Sequence, residues 1–423
     1  MYKSVVLKNG LRIILADMPA VESLSIGIWI SAGGRYETKE QAGISHFLEH
    51  MVFKGAAGRS ARELKEAIEG RGGQLNAFTG EESTCYLAKV LAKDAAIALD
   101  ILSDMVLEPR LARSDFLKER LVILEEIKMY IDMPHHYVQE ILAELLWPDQ
   151  PLGMPLAGTP ETVSEMTNKD LAKYRNSLYN PQNIVVALAG RLSAPEMVRR
   201  IGAKFSRVPP GTKNVCEAAR LIQKEPATRF FYKETEQTHV ALGIHGYDRF
   251  SKDKYALDLL HIILGGNMSS RLFNEVRERL GLAYEISSHI KHYHDTGALI
   301  ISAGIDNKKV ERAITVVLSV LADMRKRAVT REEFHRAKEF YRGQLLMIFE
   351  DTMGHMLWLG EKQVSNDSEY RAQEILRRLD GVTIDDIRRV ATDIIRPGKL
   401  SFASVGPVKK DIQRSISKRL ADL

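Results

Sequence analysis

Apolar and polar positions along the chain change period repeatedly, and the changes outline its elements. The first twenty residues, MYKSVVLKNGLRIILADMPA, read as two short apolar strands folded about Asn9-Gly10, a dipeptide suited to a tight hairpin turn. Leu24 to Ser31 reads as a third strand, after which a helical period takes over near 41–54 and 60–71. A second hairpin is predicted from 73–79 and 83–90 across the turn-prone Thr79-Gly80-Glu81-Glu82, followed by helices at 92–106, 113–131 and 135–147. Pro148, Pro151 and Pro155 break the run; a helix near 168–179, a strand from Asn183 to Ala189 and a helix at 194–206 complete the first half.

Two prolines and a glycine between periodic segments make 207–214, RVPPGTKN, the best linker, so the domain boundary is expected at 208/209. Beyond it the first outline repeats: strands near 229–246, helices near 253–264 and 269–280, strands within 283–303, then helices from 307 on. Leu102-Ser-Asp-Met105 matches Leu321-Ala-Asp-Met324, and Ser25-Ile-Gly-Ile28 precedes the first about as far as Ala241-Leu-Gly-Ile244 precedes the second. The chain reads as an internal duplication.

Composition narrows the class. With 423 residues, 45% hydrophobic and 27% charged, the chain has the make-up of a globular protein large enough for two cores. Its 60 basic and 55 acidic residues are too evenly spread for a nucleic-acid footprint. No apolar run approaches the roughly 20 residues that span a bilayer, and the first segment lacks the form of a signal peptide. The two cysteines, Cys85 and Cys216, suit a reducing compartment. A cytoplasmic protein is expected, or an organellar matrix protein stripped of its presequence.

One stretch resists the plain reading. In GISHFLEHMVF, residues 43–53, His46, Glu49 and His50 fall at roughly 0°, 300° and 40° on a helical wheel, while Ile44, Phe47, Leu48, Met51 and Val52 fill roughly 100° to 240°. Two imidazoles a turn apart on one face can direct a nitrogen each at one zinc ion, and the glutamate between them can hold a water. The bland reading is a buried histidine pair bridged by a carboxylate. The duplication supplies a control: the matching His261-Ile-Ile-Leu-Gly265 keeps the helix and loses the glutamate and the second histidine, so the fold does not need them. A third protein ligand is wanted. The helix ERLVILEEI offers Glu119, Glu125 and Glu126, and the residues alone do not choose among them.

HFLEHMVFKG, followed by GGQLNAFTGEESTCYLAKV and ERLVILEEI, resembles the pitrilysin family of inverse zinc metallopeptidases, in particular short members similar to the catalytic subunit of mitochondrial processing peptidase. The likeness continues through LGGNMSSRLFNEVRERLGLAYEISS in the second half. It implies an α+β fold of two homologous domains, each a mostly antiparallel sheet packed by helices and together forming half of a clamshell. Residues 1–208 would be the zinc-binding catalytic domain and 209–423 its homologous non-zinc partner.

The resemblance also implies roles. One zinc per chain would be held by His46, His50 and Glu126, with Glu119 supporting from outside and Glu49 acting as general base. Arg277 and Tyr284 match oxyanion donors; without the resemblance they read as a solvated helix residue and a core strand tyrosine. Asn76, Ala77, Phe78 and Thr79 match an edge strand that pairs with extended substrate. Phe53 matches a residue lining the pocket past the scissile bond, and reads equally as plain core. One departure concerns substrate: where processing peptidase holds an arginine with two acids, this chain has His136 and Glu140, which puts a preference for basic presequences in doubt. His289, His292 and His294 read as solvent-facing strand residues, and His135 with His136 as exposed.

The function implied is a zinc-dependent endopeptidase acting on extended peptides or unfolded segments, paired with a second copy or a homologous chain. The alternatives are a structural or assembly subunit of the same fold, like the core subunits of respiratory cytochrome reductase, and a catalytic chain that needs a different partner. The complete ligand set favours the enzyme.

Overall fold

The structure, a computed structural model, describes residues 2–367 and 371–423. It contains two compact units: 1–127, 154–217 and 346–370 form one, and 128–153, 218–345 and 371–423 the other. The boundary expected at 208/209 falls inside the first unit's segment 154–217, and two stretches, 128–153 and 346–370, belong to the unit that their sequence neighbours do not.

The first unit is built on strands β1 (Tyr2–Val6), β2 (Arg12–Asp17) and β3 (Ser23–Ile30), then β6 (Gln74–Thr79), β7 (Thr84–Leu91) and β8 (Ile184–Gly190), with a two-residue hairpin β4–β5 (Gly55–Ala56, Arg59–Ser60) apart. Their order is β1-β2-β8-β3-β7-β6, antiparallel except for β2 with β8. Helices α1 (Ile44–Val52) and α3 (Ala95–Leu107) pack on β6 and on β3 and β7; α2 (Ala61–Glu69) starts in a capping box between Ser60 and Glu63.

Strand β3 shows why both faces are covered. Leu24, Ile26 and Ile28 are fully buried on one face, while Ser25, Gly27 and Trp29 face the helix Thr352–Val364. Small side chains let that helix come close: a Cβ on Gly360 would lie 1.9 Å from Trp29 Nε1. Ile14, Trp29, Val185, Ala187, Met356 and Leu359 form one buried cluster there.

The second unit repeats the plan. Strands β9 (Ala227–Phe231), β10 (Gln237–Gly246), β11 (Ala283–His292), β12 (Gly297–Asp306) and β13 (Leu400–Val405) lie in the order β11-β12-β10-β13-β9, with β13 and β9 as the parallel pair. Here α5 (Pro134–Leu146) covers the sheet, Leu142 and Leu146 packing with Ala241, Ile300 and Val405. The matched tetrapeptides occupy equivalent places, on β3 and β10 and on α3 and the helix Val310–Lys326. The duplication is therefore structural, and each copy is a sheet packed by helices. The segment predicted as helix near 269–280 is instead a π-helical run over Phe273–Arg279.

Candidate metal centre

Helix α1 presents its histidines because its opposite side is pinned. Ile44, Phe47, Leu48, Met51 and Val52 are fully buried, and Phe47 stacks flat on Phe116 of α4 (Arg113–Asp132) with ring centroids 4.7 Å apart. Gly43 begins the helix at φ +94°, and a Cβ there would meet the Ala157 carbonyl oxygen at 2.6 Å, so only glycine fits. The backbone N–H groups of Gly43 and Ser45 donate to Oε2 and Oε1 of Glu37, each at 2.8 Å. Burial pushes that carboxyl up to about 6, against the pull of those bonds.

Glu126 of α4 faces both imidazoles. Its Oε1 lies 3.6 Å from His46 Nε2 and its Oε2 3.5 Å from His50 Nε2. These separations are too long for hydrogen bonds. They match the roughly 3.4 Å between donor atoms that each sit about 2.1 Å from a tetrahedral zinc ion. The three donors lie within 4.8 Å of one another, a grouping found nowhere else among the described residues. Burial, and then the neighbouring His50, hold His46 below the usual imidazole range, which keeps it in the neutral form a metal requires. Its Nδ1 is buried with no hydrogen-bond partner among the described residues. Two imidazole nitrogens and a carboxylate fit zinc by donor chemistry and by spacing.

The other two glutamates of α4 part ways. Glu119, buried, brings Oε2 to 3.2 Å from His50 Nδ1 and Oε1 to 2.6 Å from Lys54 Nζ. Donation from Nδ1–H to Glu119 leaves the Nε2 lone pair of His50 directed at the Glu126 side. Glu125 is exposed.

Glu49 accepts a hydrogen bond from the Thr79 hydroxyl, Oγ1 to Oε2 at 2.6 Å. Burial raises the Glu49 pKa, opposed by that bond and by the charge of His50. Thr79 ends β6, which lies at the edge of its sheet. Asn76 and Phe78 are exposed on β6, Asn76 accepting from the Ala77 N–H at 2.8 Å and Phe78 meeting Trp29 edge-on at 5.4 Å. Ala77 and Thr79 are half-buried, and Phe53 caps the C-terminal end of α1, also half-buried.

Arg277 and Tyr284 belong to the second unit. The Arg277 guanidinium lies over the rings of Phe273 and Tyr284, 4.6 and 5.6 Å from their centroids. Tyr284 is no core residue: the β11–β12 register slips between Ala283 and Glu285, and the bulged tyrosine is 78% exposed. His292 is not solvent-facing either, its Nε2 lying 3.0 Å from Asp258 and its Nδ1 2.9 Å from the Tyr247 carbonyl oxygen. His135 and His136 are exposed, and Glu140 is half-buried with a raised pKa from that burial.

Three contributions escaped the sequence reading: Glu37, Lys54 and the Thr79 side chain. Lys54 left a signal, one turn beyond His50 on the polar side of the helix. Glu37 precedes α1 across an irregular segment and Thr79 reaches Glu49 from another strand, so neither obeys any local period.

The chain is similar to known zinc proteases over nearly its whole length. Residues 12–160 match the insulinase family of peptidases, M16, and residues 165–341 match the peptidase M16 inactive domain. The chain is 36% identical to YmxG of Bacillus subtilis, described as an uncharacterized zinc protease, over 93% of this chain and 96% of that one. It is 37% identical to the uncharacterized zinc protease ML0855 of Mycobacterium leprae, over 97% of this chain and 93% of that one. In three dimensions it resembles a protease from Helicobacter pylori with a TM-score of 0.91 at 22% identity, covering 96% of this chain and 99% of that one.

Proposed function

The chain belongs to peptidase family M16, and from that premise we propose that it is a zinc-dependent endopeptidase acting on extended peptides or unfolded segments. The observation that carries the reading is the convergence of His46 Nε2, His50 Nε2 and the Glu126 carboxylate beside Glu49. His46, His50 and Glu126 would hold the metal. Zinc, when bound, lowers the pKa of its water toward about 7 and polarises the scissile carbonyl.

The chain's own residues do the rest. Glu49, raised by burial, takes a proton from the attacking water on a carboxylate oxygen and returns it to the nitrogen of the leaving amine. Glu119 holds His50 in the tautomer that leaves Nε2 available. The open edge of β6 lends its backbone to an extended peptide, a mode that reads main chain and so favours flexible substrates over folded ones. Phe53 would favour apolar groups just past the scissile bond. Pairing with a second copy or a homologous chain belongs to the same reading.

Zinc analysis and cleavage of a quenched peptide library, with and without chelator, test it. The expected outcome is about one zinc per chain and cleavage abolished by chelator and by Glu49→Gln. Protein without zinc, or cleavage indifferent to Glu49→Gln, would leave the assembly-subunit reading in its place.

A further inference from the structure

Resting on the peptidase reading, we infer that Thr79 is a positioning residue for Glu49, its hydroxyl setting the carboxylate's aim from the end of the strand that takes the substrate. The Thr79 hydroxyl bond, at 2.6 Å, is the one hydrogen bond the Glu49 carboxylate makes among the described residues. Helix α1 fixes only the Glu49 backbone; the side chain beyond it has three torsions and stands on the polar stripe, away from the apolar side that locks the helix. A single charge-assisted bond therefore decides which way the carboxylate points.

Thr79 is itself held well. Its backbone pairs with Thr84 across the turn of the β6–β7 hairpin, and Thr84 is fully buried and donates its hydroxyl to the Ala32 carbonyl oxygen at 2.9 Å. The turn is fastened from the segment ahead of α1: the Arg35 N–H donates to the Glu81 carbonyl oxygen at 2.7 Å, and the Arg35 guanidinium to Glu82 Oε1 at 2.6 Å. A Cβ on Gly33 would lie 2.2 Å from the Gly80 oxygen, so this approach is close enough to demand glycine. The alternation of β6 turns Thr79 toward α1 and Phe78 toward Trp29 on the opposite face. One residue thus serves two neighbours, its backbone at the end of the substrate edge and its side chain on the base. A peptide laid along Gln74–Thr79 would be brought into register with Glu49 by the strand it pairs with.

The test compares zinc-loaded wild type with Thr79→Val, which removes the hydroxyl at nearly constant shape, and Thr79→Ser, which keeps it. The expected result is a fall in kcat of about 10- to 100-fold for Thr79→Val, with KM, zinc content and unfolding midpoint near wild type and kcat restored in Thr79→Ser. If Thr79→Val misfolds, Thr79→Ala is read against Thr79→Ser in the same way. Wild-type kcat in Thr79→Val, or a loss that Thr79→Ser fails to restore, overturns the assignment and leaves the peptidase reading standing. A zinc-loaded wild type that cleaves nothing overturns both.

Discussion

Glu119 holds His50 and Lys54 at once: Oε2 lies 3.2 Å from His50 Nδ1 and Oε1 lies 2.6 Å from Lys54 Nζ. The lysine supplies the charge that a buried carboxylate needs, and the carboxylate supplies the orientation that the imidazole needs. Replacing Glu119 by Gln keeps the shape and weakens both interactions. Zinc affinity is expected to fall by about 10- to 100-fold, as read by competition with a chromogenic chelator, with the fold intact by circular dichroism.

Glu125 and Glu126 are neighbours in sequence and opposites in role. Glu126→Gln should leave the protein short of zinc after dialysis and without cleavage activity, because one of the three proposed ligands is gone. Glu125→Gln should keep both, since Glu125 is exposed. Metal analysis of the two proteins side by side checks this. Equal zinc content in both would remove Glu126 from the ligand set.

Glu37 closes the N-terminal end of α1 with both carboxylate oxygens. In Glu37→Ala the N–H groups of Gly43 and Ser45 lose their acceptor inside the protein, at about 1–3 kcal/mol for each group left unsatisfied. Urea unfolding should show a loss of roughly 2–6 kcal/mol, with zinc affinity lowered as the helix start loosens. An unchanged midpoint would mean that water replaces the carboxylate without penalty.

Acid should destabilise the second unit through His245. This residue is 3% exposed, packs edge-on to Trp147 with ring centroids 5.9 Å apart, and is held down to about 4 chiefly by burial. In the unfolded chain an imidazole titrates near 6.5. Between those values the unfolded chain binds a proton that the folded chain refuses. Stability is therefore fully present above roughly pH 6.5 and declines as pH falls toward 4. Urea midpoints at a series of pH values check the slope, and His245→Phe should make it shallower, with buried His261 contributing the same sign of dependence.

Much of the fold was legible because it follows local period. The Asn9-Gly10 hairpin, the pattern from β3 to α3 and the polar stripe on α1 all rest on contacts within an element or with its sequence neighbour. The proposed third ligand was not legible from pattern alone. α4 carries exposed Leu117, Leu121 and Val122 as well as charges, so its sequence does not declare which side faces α1. Its buried residues Phe116, Ile123 and Ile127, with Phe116 stacked on Phe47, set the side on which Glu119 and Glu126 meet the histidines. Likewise the bulge at Tyr284 and the exchange of 128–153 and 346–370 between units depend on distant partners.

That exchange bears on how the molecule comes into being. The helix Thr352–Val364 completes the cluster around Trp29 and Val185, so the first sheet stays bare on that face until more than 360 residues have left the ribosome. A chain cut at 208 would carry the whole of β1–β8 and still present Ile14, Trp29, Val185 and Ala187 to water. During synthesis the first unit can bury that face only after the helix Thr352–Val364 has been made.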